Sequence, residues 1–332
     1  MPGTMANDAG LDCFADTYTV LLRDVGIDPR VLGDDWGYRY VAPEVAASEP
    51  FLRLRINRHE YRDSIFRWYG IAERRISHSS DRALWGHVDE VLADGRQVAL
   101  QLDTFFYPNS PFHRRIHHLH RVVVAGRRDL DVYVLDEFPG RPFRGWLPVD
   151  VLNQAIRSDV LASQYAGVGG KRCSVDLPPP PWVAQPAVAD LEAALMANVQ
   201  SYLGEQGDSA APVGWCAVQR FLSDVRRYAA NGSQVDQSLI TDGVNFFAAL
   251  AKQRRQNALF VQLVGDRGGV RVDEAVNQLR DISHRLDQVR AFFFFGASAG
   301  RPTGEHVGRL ADRLTQTFFE EYDCMRRLSH LL

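Results

Sequence analysis

The sequence of 332 residues has little lysine, little cysteine and no long apolar run. Among its 38 basic residues only Lys171 and Lys252 are lysines, and the formal net charge is −3. This near balance of charge argues against a nucleic-acid or anionic-membrane partner. No apolar run approaches the roughly 20 residues that span a bilayer. The longest aromatic block is Phe292–Phe295.

The four cysteines contain no Cys-x-x-Cys pair. Such scarcity argues against a disulfide framework and against a structural zinc site. The first residues show no basic start followed by an apolar stretch, so we expect no secretory signal. The expected location is therefore the reducing cytoplasm.

The plainest boundary in the chain is the run of four prolines at 178–181, preceded by glycines at 167, 169 and 170. Consecutive prolines enter neither a helix nor a central strand, and they stiffen into an extended spacer. The length also favours two domains. We predict one domain over residues 1–165, a Gly/Pro-rich linker over 166–186 and a mainly helical domain over 187–332.

The C-terminal part carries apolar residues at helical spacing, which predicts amphipathic helices that bury one face. Four stripes of this kind occur: Leu191, Leu195, Val199 and Tyr202; Val218, Leu222, Val225 and Tyr228; Val276, Leu279, Ile282, Leu286 and Val289; and Val307, Leu310, Leu314, Phe318, Met325 and Leu328.

The N-terminal part begins with a helix and continues with strands. A helix is expected from Cys13 to a stop at Gly26. Alternating or β-branched runs at 97–103, 120–124 and 131–136 predict strands, and the last two flank a turn-prone stretch. A helix followed by a sheet is an α+β pattern.

Three residues in this part have the chemistry of a nucleophile, a base and an orienting acid. A hairpin centred on Arg128 places His120 directly opposite Asp136 on one face. Cys13 lies in the first turn of the helix, where unpaired N–H groups stabilise a thiolate. The backbone N–H of Cys13 and the side chain of Asn7 are candidate oxyanion donors.

Each of these residues also has a structural interpretation. Cys13 could simply be buried, His120 could be a core histidine, and Asp136 could begin a turn. The neighbouring histidines at 113, 117 and 118 compete with His120 for the role of base. The order of helix-start Cys, strand-start His and strand-end Asp favours catalysis.

These segments resemble the papain-like cysteine peptidase fold, in particular its C39-like group. The matching stretches are 12–14 (Asp-Cys-Phe), 120–124 (His-Arg-Val-Val-Val) and 134–137 (Val-Leu-Asp-Glu). A closer resemblance is to the group similar to the N-terminal domain of butirosin biosynthesis protein H. It includes residues 35–40 (Asp-Trp-Gly-Tyr-Arg-Tyr) and 102–108 (Leu-Asp-Thr-Phe-Phe-Tyr-Pro). The similarity covers roughly residues 10–160.

This resemblance implies a papain-like catalytic domain that acts on thioesters. The family takes an acyl chain from an acyl or peptidyl carrier protein, where phosphopantetheine carries it, onto the cysteine and passes it to an amine. By resemblance alone, Trp36, Tyr38, Asp103 and Tyr107 are candidates for the cleft wall. The sequence departs from the pattern of the peptidases at two positions. Asn7 stands where a Gln usually precedes the cysteine, and Glu137 stands where a Pro commonly follows the catalytic acid.

Other functions stay open at this point. The same residues suit a peptidase or amidase, or a thioesterase or cyclase, and a non-catalytic binding module is a further alternative. The Gly-x-Ser-x-Gly match at 296–300 follows a strand-like aromatic run, but the strands and the later Asp and His of an α/β-hydrolase are missing. The histidines at 113–120 lack a further ligand at zinc spacing. We expect no bound metal or cofactor.

Overall fold

The fold is described from a computed structural model of the chain. It covers residues 12–41, 53–56, 61–137, 142–164, 170–179, 185–204, 212–230, 237–299 and 304–331. The chain forms two compact units. One consists of residues 1–29 and 61–185, and the other of residues 30–60 and 186–332. We call them the α+β unit and the helical unit.

Helices and strands are mixed up to residue 176, and helices alone follow in the described part of the chain. A 3₁₀ helix at Pro29–Gly33 precedes the first strand. The elements are, in chain order, α1 Asp12–Asp24, β1 Tyr38–Tyr40, β2 Leu54–Ile56, α2 Tyr61–Tyr69, β3 Arg74–Ser77, α3 Asp81–Ala93, β4 Val98–Asp103, β5 Leu119–Arg128, β6 Asp131–Asp136, β7 Phe143–Pro148, α4 Val149–Ile156, α5 Asp159–Gln164, β8 Cys173–Asp176, α6 Val188–Leu203, α7 Gly214–Ala230, α8 Gln237–Gly268, α9 Asp273–Ala299 and α10 Gly304–Leu331.

The α+β unit is built around a six-stranded sheet in the order β3-β8-β4-β5-β6-β7. Neighbouring strands are antiparallel throughout. Every residue of β4 and the first six residues of β5 are buried. This burial follows from helices on both faces, because α3 and α4 pack on the side chains of one face while α1 packs on the other.

The predicted α+β class and the predicted hairpin are confirmed, while the papain-like relationship stays a prediction. The first helix ends where expected, since α1 is followed by a turn with Gly26 at a φ of 75°. The predicted linker differs from the structure, because its residues 173–176 form β8. This strand pairs with both β3 and β4, so the sheet extends past residue 165.

The helical unit contains α6 to α10, and the predicted apolar stripes are its core. All the stripe residues are buried except Tyr228, which is half-buried. The unit also includes residues 30–60, which the sequence analysis had placed in the N-terminal domain. Gly33 explains part of this packing, since a Cβ at that position would overlap the backbone of Gln256 in α8. The carbonyl of Gly33 accepts a hydrogen bond from Asn257 Nδ2 at 2.8 Å.

A fully buried ion pair lies within the helical unit. Arg254 of α8 and Glu321 of α10 are in contact, with side chains 1% and 0% exposed. The hydroxyl of Tyr38 donates to Glu321 Oε2 at 3.1 Å, and Arg254 donates to Asn257 Oδ1 at 2.9 Å. These bonds tie β1 to two long helices in a region from which water is excluded.

The aromatic run at 292–295 is helical, which corrects its strand-like interpretation. It lies inside α9, as do residues 296–299 of the Gly-x-Ser-x-Gly match. A nucleophile elbow needs a sharp turn between a strand and a helix. The structure therefore removes the serine alternative. No helix among the described residues combines the length and the apolar content needed to cross a bilayer.

The buried ion pair gives a stability prediction. Glu321→Ala leaves the Arg254 guanidinium buried without its counter-charge, so we expect the free energy of unfolding to fall by about 3–5 kcal/mol. Urea denaturation followed by tryptophan fluorescence measures this change. The matched control is Glu320→Ala, which breaks a partly exposed pair with Arg285 and is expected to cost under about 1 kcal/mol. Equal costs for the two variants would contradict the role assigned to the buried pair.

Candidate active site

The β5–β6 hairpin sets the geometry of the candidate site, and its register differs from the predicted one. Arg128 pairs with Asp131 across a two-residue turn, whereas Val123 pairs with Leu135 and Val124 with Val134. Continued along the strands, this register places Asp136 opposite Val122 and not opposite His120. The predicted pairing was therefore wrong by two residues. A shift of two keeps a side chain on the same face.

A β-bulge between Val124 and Gly126 is what keeps Asp136 on the face of His120. Near the turn, Gly126 pairs with Tyr133, and that pairing continued without a bulge would place Asp136 opposite Val123. Neighbouring residues on a strand point to opposite faces. The extra residue of the bulge thus returns the carboxylate to the face of the imidazole.

His120 and Asp136 are in direct contact. The distance from His120 Nε2 to Asp136 Oδ1 is 3.0 Å, and the two side chains are 3% and 2% exposed. A diagonal same-face pair is within reach of side chains of this length. The carboxylate therefore fixes the orientation of a buried imidazole through Nε2, which leaves proton exchange with a nucleophile to Nδ1.

Tyr107 lies beside this pair on the same face. Its ring centroid is 6.0 Å from that of His120, and the residue is fully buried. Burial, reinforced by the negative charge of Asp136, raises the pKa of Tyr107 well above its ordinary value. Its hydroxyl is therefore neutral at physiological pH. Tyr107 was predicted for the cleft wall, and the structure places it next to the His–Asp pair.

The first turn of α1 lies at the start of β5. Phe14, which directly follows Cys13, packs against Leu119, the first residue of β5. A small cavity continues from this point between α1 and the hairpin. Its lining residues are Asp16, Thr17, Val20, His120, Arg121, Val123, Leu135, Asp136 and Glu137. One stripe of α1 and residues of both hairpin strands thus line this cavity. The side chains of His120 and Asp136 project from the other face of the sheet, which they share with Val122 and Val134.

The side chain of Arg121 projects from β5 toward α1, on the face of the sheet opposite to that of His120. Its guanidinium lies 3.7 Å from the ring centroid of Phe14 and donates to the hydroxyl of Tyr18 at 3.3 Å. Tyr18 in turn donates to Glu73, and burial raises the pKa of Tyr18 to about 12. This buried charged network anchors α1 on the sheet. Sequence reasoning missed it, because isolated charges at these spacings are typical of an exposed surface.

Asp103, predicted for the cleft wall, belongs to a second His–Asp pair. His117 Nδ1 lies 2.7 Å from Asp103 Oδ2, and Ser158 donates to the same oxygen at 2.5 Å. Asp103 pairs with Leu119 across the β4–β5 ladder, so this cluster lies at the same end of the sheet as His120. In the sequence, His117 is one of three histidines that compete with His120 for the role of base. The pair could have been predicted from the strand ends. Asp103 is the last residue of β4 and His117 lies just before β5, so antiparallel pairing of the two strands brings them together.

Of the remaining predicted site residues, Trp36 and Tyr38 are buried in the interior of the helical unit, 3% and 0% exposed. Their assignment to the cleft wall stays a prediction. Their aromatic character reflects packing in that core. Cys13 is the second residue of α1, but its side chain lies outside the described part of the structure, and Asn7 lies outside the described residues altogether.

Within the described ranges, no three His, Cys, Asp or Glu side chains are grouped closely enough to hold a metal ion. Two of the described cysteines are buried thiols. Burial raises the pKa of Cys173 to about 11 and that of Cys324 to about 12. Both groups are therefore neutral thiols at physiological pH and poor nucleophiles.

A comparison with known protein families gave a match for the segment that contains most of this site. Residues 16–137 match the family model described as "Butirosin biosynthesis protein H, N-terminal". This segment therefore resembles the N-terminal domain of butirosin biosynthesis protein H, as its motifs predicted. The matched segment contains both His–Asp pairs but not Ser158, which donates to Asp103. It begins three residues after Cys13. A search of curated proteins gave no match.

The proximity of His118 to the first pair gives a prediction about its titration. The pKa of His118 is lowered mainly by burial and further by the charge of His120. Replacing that imidazole in His120→Gln removes the second cause, so we expect the pKa of His118 to rise toward its ordinary value. Histidine NMR signals followed over a pH series measure the change.

The internal control for this titration is His78. Its pKa is lowered by burial and by His87, which are unaffected by the substitution. A pKa of His118 that does not move in His120→Gln, or an equal change at His78, would contradict the proximity of His118 and His120.

Proposed function

We propose that the chain is an enzyme of antibiotic biosynthesis and, more specifically, a cysteine-dependent acyltransferase. Cys13 is the nucleophile, His120 the base and Asp136 the residue that orients the base. The donor is an acyl or peptidyl carrier protein whose phosphopantetheine thioester supplies the acyl chain, and the acceptor is an amine. The observation that carries the proposal is the buried contact between His120 Nε2 and Asp136 Oδ1, which joins the start of β5 to the end of β6.

The position of Cys13 in α1 supports its role as nucleophile. Residues 13, 16, 17 and 20 share one stripe of an α-helix, and the last three line the small cavity between α1 and the β5–β6 hairpin. Cys13 precedes them by one turn, and its neighbour Phe14 packs on the first residue of β5. The helix start favours a thiolate, because unpaired N–H groups and the helix dipole stabilise negative charge there.

In the proposed first step, the Cys13 thiolate attacks the thioester carbonyl of the donor. A carbon–sulfur bond to Cys13 forms, the bond to the carrier sulfur breaks, and that sulfur takes a proton from the His120 imidazolium. Both ends of the exchange are thioesters, so the step is nearly balanced in free energy. The backbone N–H of Cys13 and the amide of Asn7 are proposed to stabilise the oxyanion.

In the second step, the acceptor amine attacks the acyl-Cys13 thioester. His120 takes a proton from the nitrogen, the Cys13 thiolate leaves, and an amide is released. Amide formation makes this step strongly favourable. Transfer exceeds hydrolysis only where water is kept out, and the buried state of His120 and Asp136 is consistent with this requirement.

The first test is capture of the acyl-enzyme. The protein incubated with acyl thioesters of N-acetylcysteamine, from acetyl to octanoyl, should gain one acyl group, as measured by intact mass spectrometry. Cys13→Ala should abolish the adduct while circular dichroism stays unchanged. The matched control is Cys216→Ala, which removes a half-buried cysteine and should leave the adduct. An adduct that persists in Cys13→Ala would assign the nucleophile elsewhere.

The second test separates His120 from its neighbour. His120→Gln removes the general base, so acylation measured by quenched-flow mass spectrometry should slow by about 100-fold or more. His118→Gln removes the adjacent half-buried imidazole, whose Nδ1 contacts the Leu119 carbonyl at 2.7 Å. It should leave the rate within a few-fold of the wild type. A reversal of these two outcomes would make His118 the base.

A further inference from the structure

The second His–Asp pair has the geometry of an oriented base and has no role in the steps above. Three donors converge on Asp103: His117 Nδ1 at 2.7 Å and Ser158 Oγ at 2.5 Å contact Oδ2, and the Phe105 N–H donates to Oδ1 at 3.0 Å. Asp103 is fully buried. A carboxylate surrounded by donors acts as the acceptor for all of them.

This contact fixes the tautomer of His117. Because Nδ1 donates to Asp103, the neutral ring carries its lone pair on Nε2. The ring is stacked on Phe105 with centroids 4.2 Å apart and an interplanar angle of 12°, so its orientation is fixed as well. Its side chain is 39% exposed. His117 is therefore an oriented base in contact with solvent, whereas His120 is buried.

The two pairs lie at one end of the sheet. Leu102 pairs with His120 and Asp103 pairs with Leu119 across the β4–β5 ladder. His118, between the two histidines in sequence, lies within electrostatic range of both His120 and Asp103. Leu102 and His120 point to one face of the sheet, whereas Asp103 and Leu119 point to the other, on which Phe14 of α1 packs. His117, in contact with Asp103, therefore lies at the sheet edge on the side of the helix that carries Cys13.

The proposed reaction leaves one proton without an acceptor. An alkyl ammonium is the main form of an aliphatic amine at neutral pH, and it loses two protons when it becomes an amide nitrogen. His120 takes one of them, which restores the imidazolium that was consumed in the acylation step. The other proton needs a second base.

We propose that His117, held by Asp103, takes this second proton from the acceptor ammonium and releases it to solvent. Nε2 of His117 removes a proton from the ammonium nitrogen, which frees the electron pair that attacks the acyl-Cys13 thioester. The resulting imidazolium remains in contact with the Asp103 carboxylate through Nδ1. This inference rests on the proposed function and names the acceptor class as a protonated amine.

The experiment isolates the transfer step. Acyl-enzyme is prepared with the N-acetylcysteamine thioester, freed of excess donor by desalting, and mixed with n-propylamine or with hydroxylamine. Loss of the acyl mass gives the transfer rate. Hydroxylamine is mainly neutral at neutral pH, so it needs to lose only one proton and does not require the second base.

We expect His117→Gln to form the acyl-enzyme at the wild-type rate, to transfer to n-propylamine about 100-fold more slowly, and to transfer to hydroxylamine normally. The defect with n-propylamine should shrink as the pH is raised, because more of the amine is then already neutral. The control is His113→Gln, from the same loop, whose ring forms no ion pair with a carboxylate among the described residues. It should behave as wild type.

Two results would overturn the inference while the proposed function stands. One is a wild-type transfer rate of His117→Gln with both acceptors, and the other is an equal defect with both, which indicates a merely structural role. Failure of the wild type to form any acyl-enzyme is a separate outcome. It would overturn the proposed function, and this inference with it, before the variants are compared.

Discussion

The candidate site depends on one constraint, which is the register of the β5–β6 hairpin. The contact between His120 and Asp136 exists because the bulge between Val124 and Gly126 shifts the pairing by one residue. Without this shift the carboxylate would lie on the face of Arg121, toward α1, and the imidazole would lose its buried partner. The bulge therefore determines which side chains can meet across the hairpin.

Sequence periodicity could predict the elements but not this register. The alternation at 131–136 and the β-branched run at 120–124 indicate strands because a half-buried strand repeats every two residues. Register depends instead on the turn and on bulges, and a bulge leaves no strong mark in the local composition. The predicted contact between His120 and Asp136 survived a wrong pairing because the error was two residues, which preserves the face of each side chain.

The segment at 30–60 shows a second limit. Trp36 and Tyr38 have the same aromatic character as Tyr107, but they are buried in the helical unit while Tyr107 lies beside His120. Hydrophobicity indicates that a residue is buried and does not indicate in which core. The partners that decide the question, Arg254 and Glu321, are charged residues on helices, and such residues are typical of an exposed face until the fold brings them together.

The two His–Asp pairs differ in the property that matters for proton transfer, which is access to water. His120 and Asp136 are almost completely buried, so in the proposed reaction a proton taken by His120 stays in the site and can be returned to a leaving sulfur. His117 is 39% exposed while its partner Asp103 is fully buried, so a proton on its ring exchanges with solvent. An acyl transfer to an ammonium needs both properties, because one proton must be kept for the next cycle and one must be lost. Antiparallel pairing of β4 with β5, and of β5 with β6, is what places a buried pair and an exposed pair at one end of the sheet.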